Sequence, residues 1–432
     1  MAAWHRPDRI RRVFTGVGTY VGIHGGDQLP VLIRKYEPKP LRIFLQSGTN
    51  DNNLYCVDWW MANQMMERSL TWAGYDVNHA WGTGGHNQKH ATQIFPDVLR
   101  WLWRDYATAK EIKANPRGDS RWRGYEVMED GKWSVILEAD KVWPKEKSSD
   151  IIPHLTSLAD GTVFVGMNKG IARISASGSC EALKGSFGVV CDMGAMPDGT
   201  ALAIGQQSEI PRQEVRTIIK SDGQFKQHKA EWEEEFRGRS PVFRHDGMGL
   251  GAIRRVNNGI GKLTLPWAEP KQEKGWTSRY DFRGPIPREI TGLAFSPDQT
   301  VLYATGGNEP WVCAIQIRPD GEPGPSEHFY QLDGFQFFEH DIYETSWRPR
   351  LCVDTNGWLY VATALGIQVC DQAGRVNFII PTPQQPHDVC FGGKDLGELF
   401  IACGDKIYKR PTNAHGYVSG QMAPIKPKTP KL

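Results

Sequence analysis

The chain has 432 residues, of which 40% are hydrophobic and 23% charged, with a formal net charge of +2. That near-neutral balance gives no electrostatic reason to expect nucleic acid or an anionic membrane as a partner, and no run of about 18 apolar residues is available to span a bilayer. The length suits about two to three domains, and 46 Gly, 28 Pro and 16 Trp point to many turns and short strands.

The N-terminal "MAAWHRPDRIRR" lacks the apolar core of a secretion signal, and the compartment stays open. Eight Cys are present with no CxxC pair, and several sit inside apolar runs such as "WVCAI" and "FIACG". They read as buried thiols that pack as small hydrophobes, with disulfides still possible.

The first ~105 residues alternate strand and helix. "RRVFTGVG" reads as a buried strand, "DQLPVLIRKY" as a short helix with Pro near its start, and "PLRIFLQS" as a strand. In "CVDWWMANQMMERSLTWAG", Trp59, Met61/Ala62, Met65/Met66, Ser69/Leu70 and Ala73 fall at helical spacing, ending at Gly74. "YDVNHAWG" alternates as a strand, and "FPDVLRWLWRDY" reads as a helix with Pro96 in its first turn. This order implies parallel strands joined by crossover helices. Residues 107–123, charged and punctuated by Pro and Gly, read as a linker.

From residue 124 the helical period nearly vanishes. Turn signals followed by β-rich runs recur with turn residues at 161, 199, 247, 298, 357 and 395, intervals of 38, 48, 51, 59 and 38. A period of roughly 40–50 residues holding several strands is the mark of a β-propeller, here expected over 124–425 with six blades and a tail at 426–432. "GYEVME" and "KWSVILEA" are expected to complete the last blade beside "KIYKRP" and close the ring. "KAEWEEEFRG" reads as an exposed helical insertion.

Two residues in the first part carry a chemical signal. Asp51, in "GTNDNN", and His86, in "GTGGHN", each follow a strand-like run. In α/β-hydrolase sheets the catalytic groups sit just past the carboxyl ends of strands, in the order Ser, Asp, His. The Asp fixes the imidazole tautomer and the His takes the nucleophile's proton. Asp/Asn turns and loop histidines are also common without chemistry.

Residues 1–106 resemble the C-terminal part of bacterial enterochelin-esterase-like α/β-hydrolases, on the strength of "AWHRPD", "GTND" and "GGHN". The resemblance implies a partial α/β-hydrolase fold with Asp51 as triad acid and His86 as base. No GxSxG occurs in the chain. By the family's spacing, the nucleophile would fall roughly ten residues ahead of Met1. The partial sheet is then expected to have an open strand edge that another chain or domain must cover.

Residues 124–425 resemble the senescence-marker-protein/gluconolactonase propellers, most clearly in "ITGLAFSPDQTVLYAT", "LCVDTNGWLYVATALGIQVCD" and "FGGKDLGELFIACG". That family implies one divalent cation, Ca²⁺ by donor chemistry, held by Glu, Asn and Asp, with a further Asn near the substrate. At the matching positions this chain has Pro153, Cys191-Asp192, Thr291 and Pro349, so the ligand set is expected to be lost. Polar candidates at the same mouth are His154, Asp192, Arg350, His387 and Asp388, with His154, Asp192 and Asp388 a possible set for a different metal.

Both resemblances imply a hydrolase of carboxylic esters or lactones, taking a small-molecule ester, lactone or carbohydrate. The missing nucleophile and ligands predict that this chain alone is inactive. Two other readings stand beside it: a non-catalytic propeller that binds carbohydrate or protein, and an N-terminally truncated form of an active serine esterase.

Overall fold

The computed structural model describes residues 2–108, 111–113, 120–129, 132–142, 153–167, 170–206, 213–231, 238–253, 259–263, 276–279, 283–307, 309–334 and 348–430. The chain divides into two compact units, one over Met1–Gly124 and one over Tyr125–Asp333 with Asp341–Leu432.

The first unit runs α1 (Ala2–His5), β1 (Arg12–Gly16), α2 (Leu29–Lys35), β2 (Arg42–Asn50), β3 (Asn53–Leu54), β4 (Val57–Asp58), α3 (Trp59–Trp72), β5 (Asp76–Gly85) and α4 (Lys89–Leu102). β1, β2 and β5 form a parallel sheet in that order, with Arg42 opposite both Arg12 and Asp76. Parallel neighbours need crossover connections, and α2 and α3 supply them. The first seven residues of β2 are buried, as expected for a central strand covered on both faces. At its start the Arg42 guanidinium is tied to Asp76 at 2.7 Å and to Asp105 by two 2.7 Å bonds.

Two sequence expectations change here. Met61 and Met65 are 61% and 53% exposed, and the buried stripe of α3 is Trp59, Asn63, Met66, Ser69 and Leu70. Asn63 belongs inside because Gly18 and Trp59 carbonyls accept its amide at 2.8 and 2.9 Å, which removes the cost of burying it. α4 begins at Lys89, so Pro96 lies inside the helix rather than in its first turn. The position is exposed, where water can satisfy the carbonyl that a proline leaves unpaired.

The second unit is an all-β propeller. Five blades are each built from four consecutive antiparallel strands, with innermost strands His154–Ser157, Val189–Ala195, Gly238–Phe243, Ile290–Phe295 and Leu351–Val353. The expected six blades are corrected to five: the remaining four-stranded sheet is the composite that the N-terminal strand was expected to complete. It joins Asp388–Gly392, Glu398–Cys403 and Lys406–Pro411 to β6 (Ser134–Glu138), which pairs antiparallel with Lys406–Pro411. The first strands of successive sheets touch one another in a closed ring around a central channel.

Of the two segments expected to complete that sheet, only "KWSVILEA" supplies a strand; Arg123–Glu126 is a short 3₁₀ turn, and Met128 makes an isolated bridge to Thr412. The expected helix in "KAEWEEEFRG" is also corrected. Lys229–Glu231 extends the outer strand Phe225–Glu231, paired with Gln213–Val215, and 232–237 lie outside the described residues. Alternating charged and apolar residue types suit a strand as well as a helix.

Candidate functional site

On the first unit, Asp51 follows β2 and His86 follows β5, and the parallel register brings the two strand ends side by side. The approach is close: a Cβ on Gly48 would lie 2.2 Å from the Gly84 carbonyl oxygen, so glycine is required there. Asp51 Oδ1 accepts from His86 Nδ1 at 2.7 Å and from the Asn52 amide at 2.8 Å. Asp51 Oδ2 accepts from Ser47 Oγ at 2.8 Å. The carboxylate is fully buried and the imidazole is 35% exposed, with the Trp59 ring edge-on to it at 5.5 Å.

A carboxylate held by three donors orients the ring. With Nδ1 engaged, the neutral imidazole presents Nε2 as its basic nitrogen. Among the described residues, no side-chain hydroxyl, thiol or amine is hydrogen-bonded to Nε2. The sequence therefore placed both members of the pair. It missed Ser47, which reads as an ordinary strand residue.

In the propeller the central channel forms a pocket. Its walls come from the innermost strands and its floor from Tyr417–Gly420. Near the other end, Asp192, Arg350 and Asp388 come together. The Arg350 guanidinium donates from both Nη atoms to the two Asp192 oxygens, at 2.7 and 2.8 Å, and its Nε lies 3.8 Å from Asp388 Oδ2. Asp192 also accepts from the Met193 and Ser240 amides at 2.9 and 2.7 Å. Asp388 accepts from the Leu155 and Val389 amides, both at 2.8 Å.

Burial and charge act differently on the two acids. For Asp192, burial pushes the carboxyl up, but the Arg350 guanidinium with its hydrogen bonds, His154 and the Ser240 amide together bring it down to about 2. For Asp388, burial dominates and raises the carboxyl to about 7, against the pull of Arg350 and the two amides. Arg350 itself is pushed down by burial and held above its ordinary range by the two carboxylates.

The other two mouth candidates stand apart. His154 is buried and acts electrostatically on Asp192, but it does not line the pocket. His387 also lies outside the lining, with burial lowering its imidazole. Asp192 and Asp388 line the pocket and His154 does not, and among the described residues no group of three such side chains is placed to hold a metal ion. Sequence reading missed Ser240, Cys352 and Cys390 on the walls and the Tyr417–Gly420 floor. Ser240 donates to the Thr291 carbonyl at 3.0 Å.

The residues at the divalent-cation positions do not fit a metal. Thr291 Oγ1 donates to the Pro349 carbonyl at 2.6 Å, and Thr305 Oγ1 donates to the same oxygen at 2.6 Å. Both groups are spent on each other. Asp192, the one acid in the set, is bound bidentately by a guanidinium.

A family profile described as the SMP-30/gluconolactonase/LRE-like region matches residues 289–404. No curated protein matches. Among solved structures, a structural-genomics target provisionally named a gluconolactonase is similar at 13% identity and TM-score 0.51, covering 68% of this chain and 97% of its own. A gluconolactonase from Xanthomonas campestris is similar at 17% identity and TM-score 0.46, covering 60% and 85%. A calcium-binding regucalcin from Agrobacterium tumefaciens is similar at 13% and 0.47, covering 68% and 97%. The second unit is accordingly a gluconolactonase-like propeller in fold.

Proposed function

We propose that this chain belongs to a carboxylic-ester and lactone hydrolase lineage, with an esterase-type Asp51–His86 pair on the first unit and a gluconolactonase-like propeller as the second. The observation that carries the reading is the 2.7 Å bond between Asp51 Oδ1 and His86 Nδ1, with the second carboxylate oxygen held by Ser47. That arrangement suits a general base and its orienter, acting on a hydroxyl brought to Nε2. The resemblance to enterochelin-esterase-like hydrolases supports the same assignment, and carboxylic esters are the substrate class it favours.

The polypeptide is expected not to hydrolyse p-nitrophenyl acetate above the buffer rate, because loss of a nucleophile typically removes ~10⁶-fold in rate, nor gluconolactone, because Thr291 and Pro349 stand at cation-ligand positions of the propeller and are bonded to each other. A fusion that supplies a strand–GxSxG–helix segment ahead of residue 1 is expected to gain ester turnover. His86→Ala should abolish that gain, and Asp51→Asn should lower it by ~10⁴-fold. Turnover by the fusion that is indifferent to both substitutions would sink the assignment.

A further inference from the structure

We infer that Arg350 is the propeller's resident cation: its guanidinium stands in the channel between Asp192 and Asp388, where a divalent cation would have to stand, and keeps the pocket free of metal. The geometry behind this is a bond made across the ring. Asp192 lies on the second blade and Arg350 leads into the fifth, 158 positions apart in the chain. With the closing sheet counted, these strands face each other across the channel, so the guanidinium lies in the channel rather than against one wall. Its two bonds to Asp192 are 2.7 and 2.8 Å, and Asp388 lies on its other side at 3.8 Å.

A hard dication needs several oxygen donors with free lone pairs. Here the Asp192 oxygens are filled by Arg350 and by the Met193 and Ser240 amides. The Asp388 oxygens each accept one amide, from Leu155 and Val389, which leaves Asp388 as the one acid there with lone pairs to spare, too few for a dication's shell. The Pro349 carbonyl is filled by two threonine hydroxyls. The guanidinium is hydrogen-bonded to Asp192 and stands 3.8 Å from Asp388, so the fixed cation takes the place of an exchangeable ion between them. It also differs from a metal in chemistry, since it cannot ionise a bound water as a dication does. The ligand class left to the channel is therefore a neutral, hydrogen-bonding molecule. Asp192 and Arg350 cancel in charge, and the Ser240 hydroxyl, whose proton goes to the Thr291 carbonyl, keeps a lone pair that can accept from a polyol.

The test uses the full chain and Ca²⁺ or Tb³⁺ alone. The wild-type protein should show no micromolar Ca²⁺ binding by calorimetry, no channel-sensitised Tb³⁺ luminescence, and the same melting temperature in EDTA and in millimolar Ca²⁺. Arg350→Ala uncovers both oxygens of Asp192 beside Asp388 and should gain at least tenfold in Tb³⁺ affinity, with a melting temperature that rises on adding Ca²⁺. If that variant does not fold, Arg350→Gln, which keeps a donor for Asp192 without the charge, should show the same gain, and a Tb³⁺ affinity equal to the wild type's would overturn the proposal. Micromolar Ca²⁺ binding by the wild type that Asp192→Asn abolishes would overturn the proposal. So would a folded Arg350→Ala variant whose Tb³⁺ affinity matches the wild type.

Discussion

Asp51 shows what single residues decide. Its carboxylate is fully buried, so each oxygen must find donors or lose several kcal/mol of solvation. Ser47 answers for one oxygen and His86 with Asn52 for the other. Ser47→Ala leaves Oδ2 unpaired and should cost about 1–3 kcal/mol in urea unfolding; a loss under about 0.5 kcal/mol would mean that the hydroxyl is incidental. The bond from His86 Nδ1 to Asp51 Oδ1 sets the imidazole tautomer. In ¹⁵N spectra of neutral His86 the proton should sit on Nδ1, and Asp51→Ala should lose that preference; a wild-type proton on Nε2 would contradict the geometry. Asp51 and His86 were legible because loops after strands are where sheet chemistry collects. Ser47 was not, because nothing in a strand residue's type says which loop carboxylate it will meet. Arg350 was legible as a mouth residue and illegible as Asp192's partner, since only ring closure brings residues 158 positions apart together.

At the scale of elements, the turn signals were the most readable feature. All six lead from the first to the second strand of a sheet, and Gly161, Gly199, Gly247 and Gly357 take φ between +79° and +89° there, where a side chain would be strained. The other two turns use Gln299 and Asp395 at φ 58° and 54°. Gln299 is kept for its bonds: its amide donates to the Tyr417 hydroxyl at 2.8 Å and the Ser419 carbonyl at 2.7 Å, and its oxygen accepts from the His245 amide at 3.1 Å. Those bonds anchor the segment that floors the channel. Ser419 donates to the Phe243 carbonyl, Gln421 donates to the Met196 carbonyl and accepts from the Ala159 amide, and the Ile425 amide donates to Pro297. One strip of chain thus ties the first four blades. Nothing in its composition announced this, because its polar residues look like any solvated tail and only the expected tail beyond 425 was set apart. Ending the chain at Gly416 should lower the propeller's melting temperature by about 5 °C or more, and calorimetry showing an unchanged transition would refute the strap.

For the whole molecule, the buried acids set how propeller stability follows pH. Asp388 is raised to about 7 by burial, with Arg350 and Asp192 its charged neighbours and the Cys390 thiol, itself pushed up by burial and by Asp388, beside it. Asp354 is raised to about 7 by burial as well, although it accepts from the Trp358 and Asn356 amides and the Tyr360 hydroxyl. Both bind a proton more tightly folded than unfolded. Their contribution is whole below the ordinary carboxylate range near 3.8 and is lost as pH rises through about 7. Asp192 has the opposite sign: brought down to about 2, it adds stability above 3.8 and surrenders it as pH falls through 2. The ring should therefore be most stable near pH 4, weaken between about pH 4 and 7 and level off above, by a few kcal/mol per raised group at most. Asp388→Asn removes one of the two titrations. Measured by calorimetry from pH 4 to 8, the wild type's advantage over this variant should shrink steadily as pH rises, and Asp354→Asn should behave alike without touching the channel. An advantage that grows with pH would mean that Asp388 is ionised throughout and that Arg350 serves both acids equally. A closed ring makes such local charge terms global, because a blade that loosens around Asp388 loses its contact with the blade that holds Leu155, and through it the whole circle.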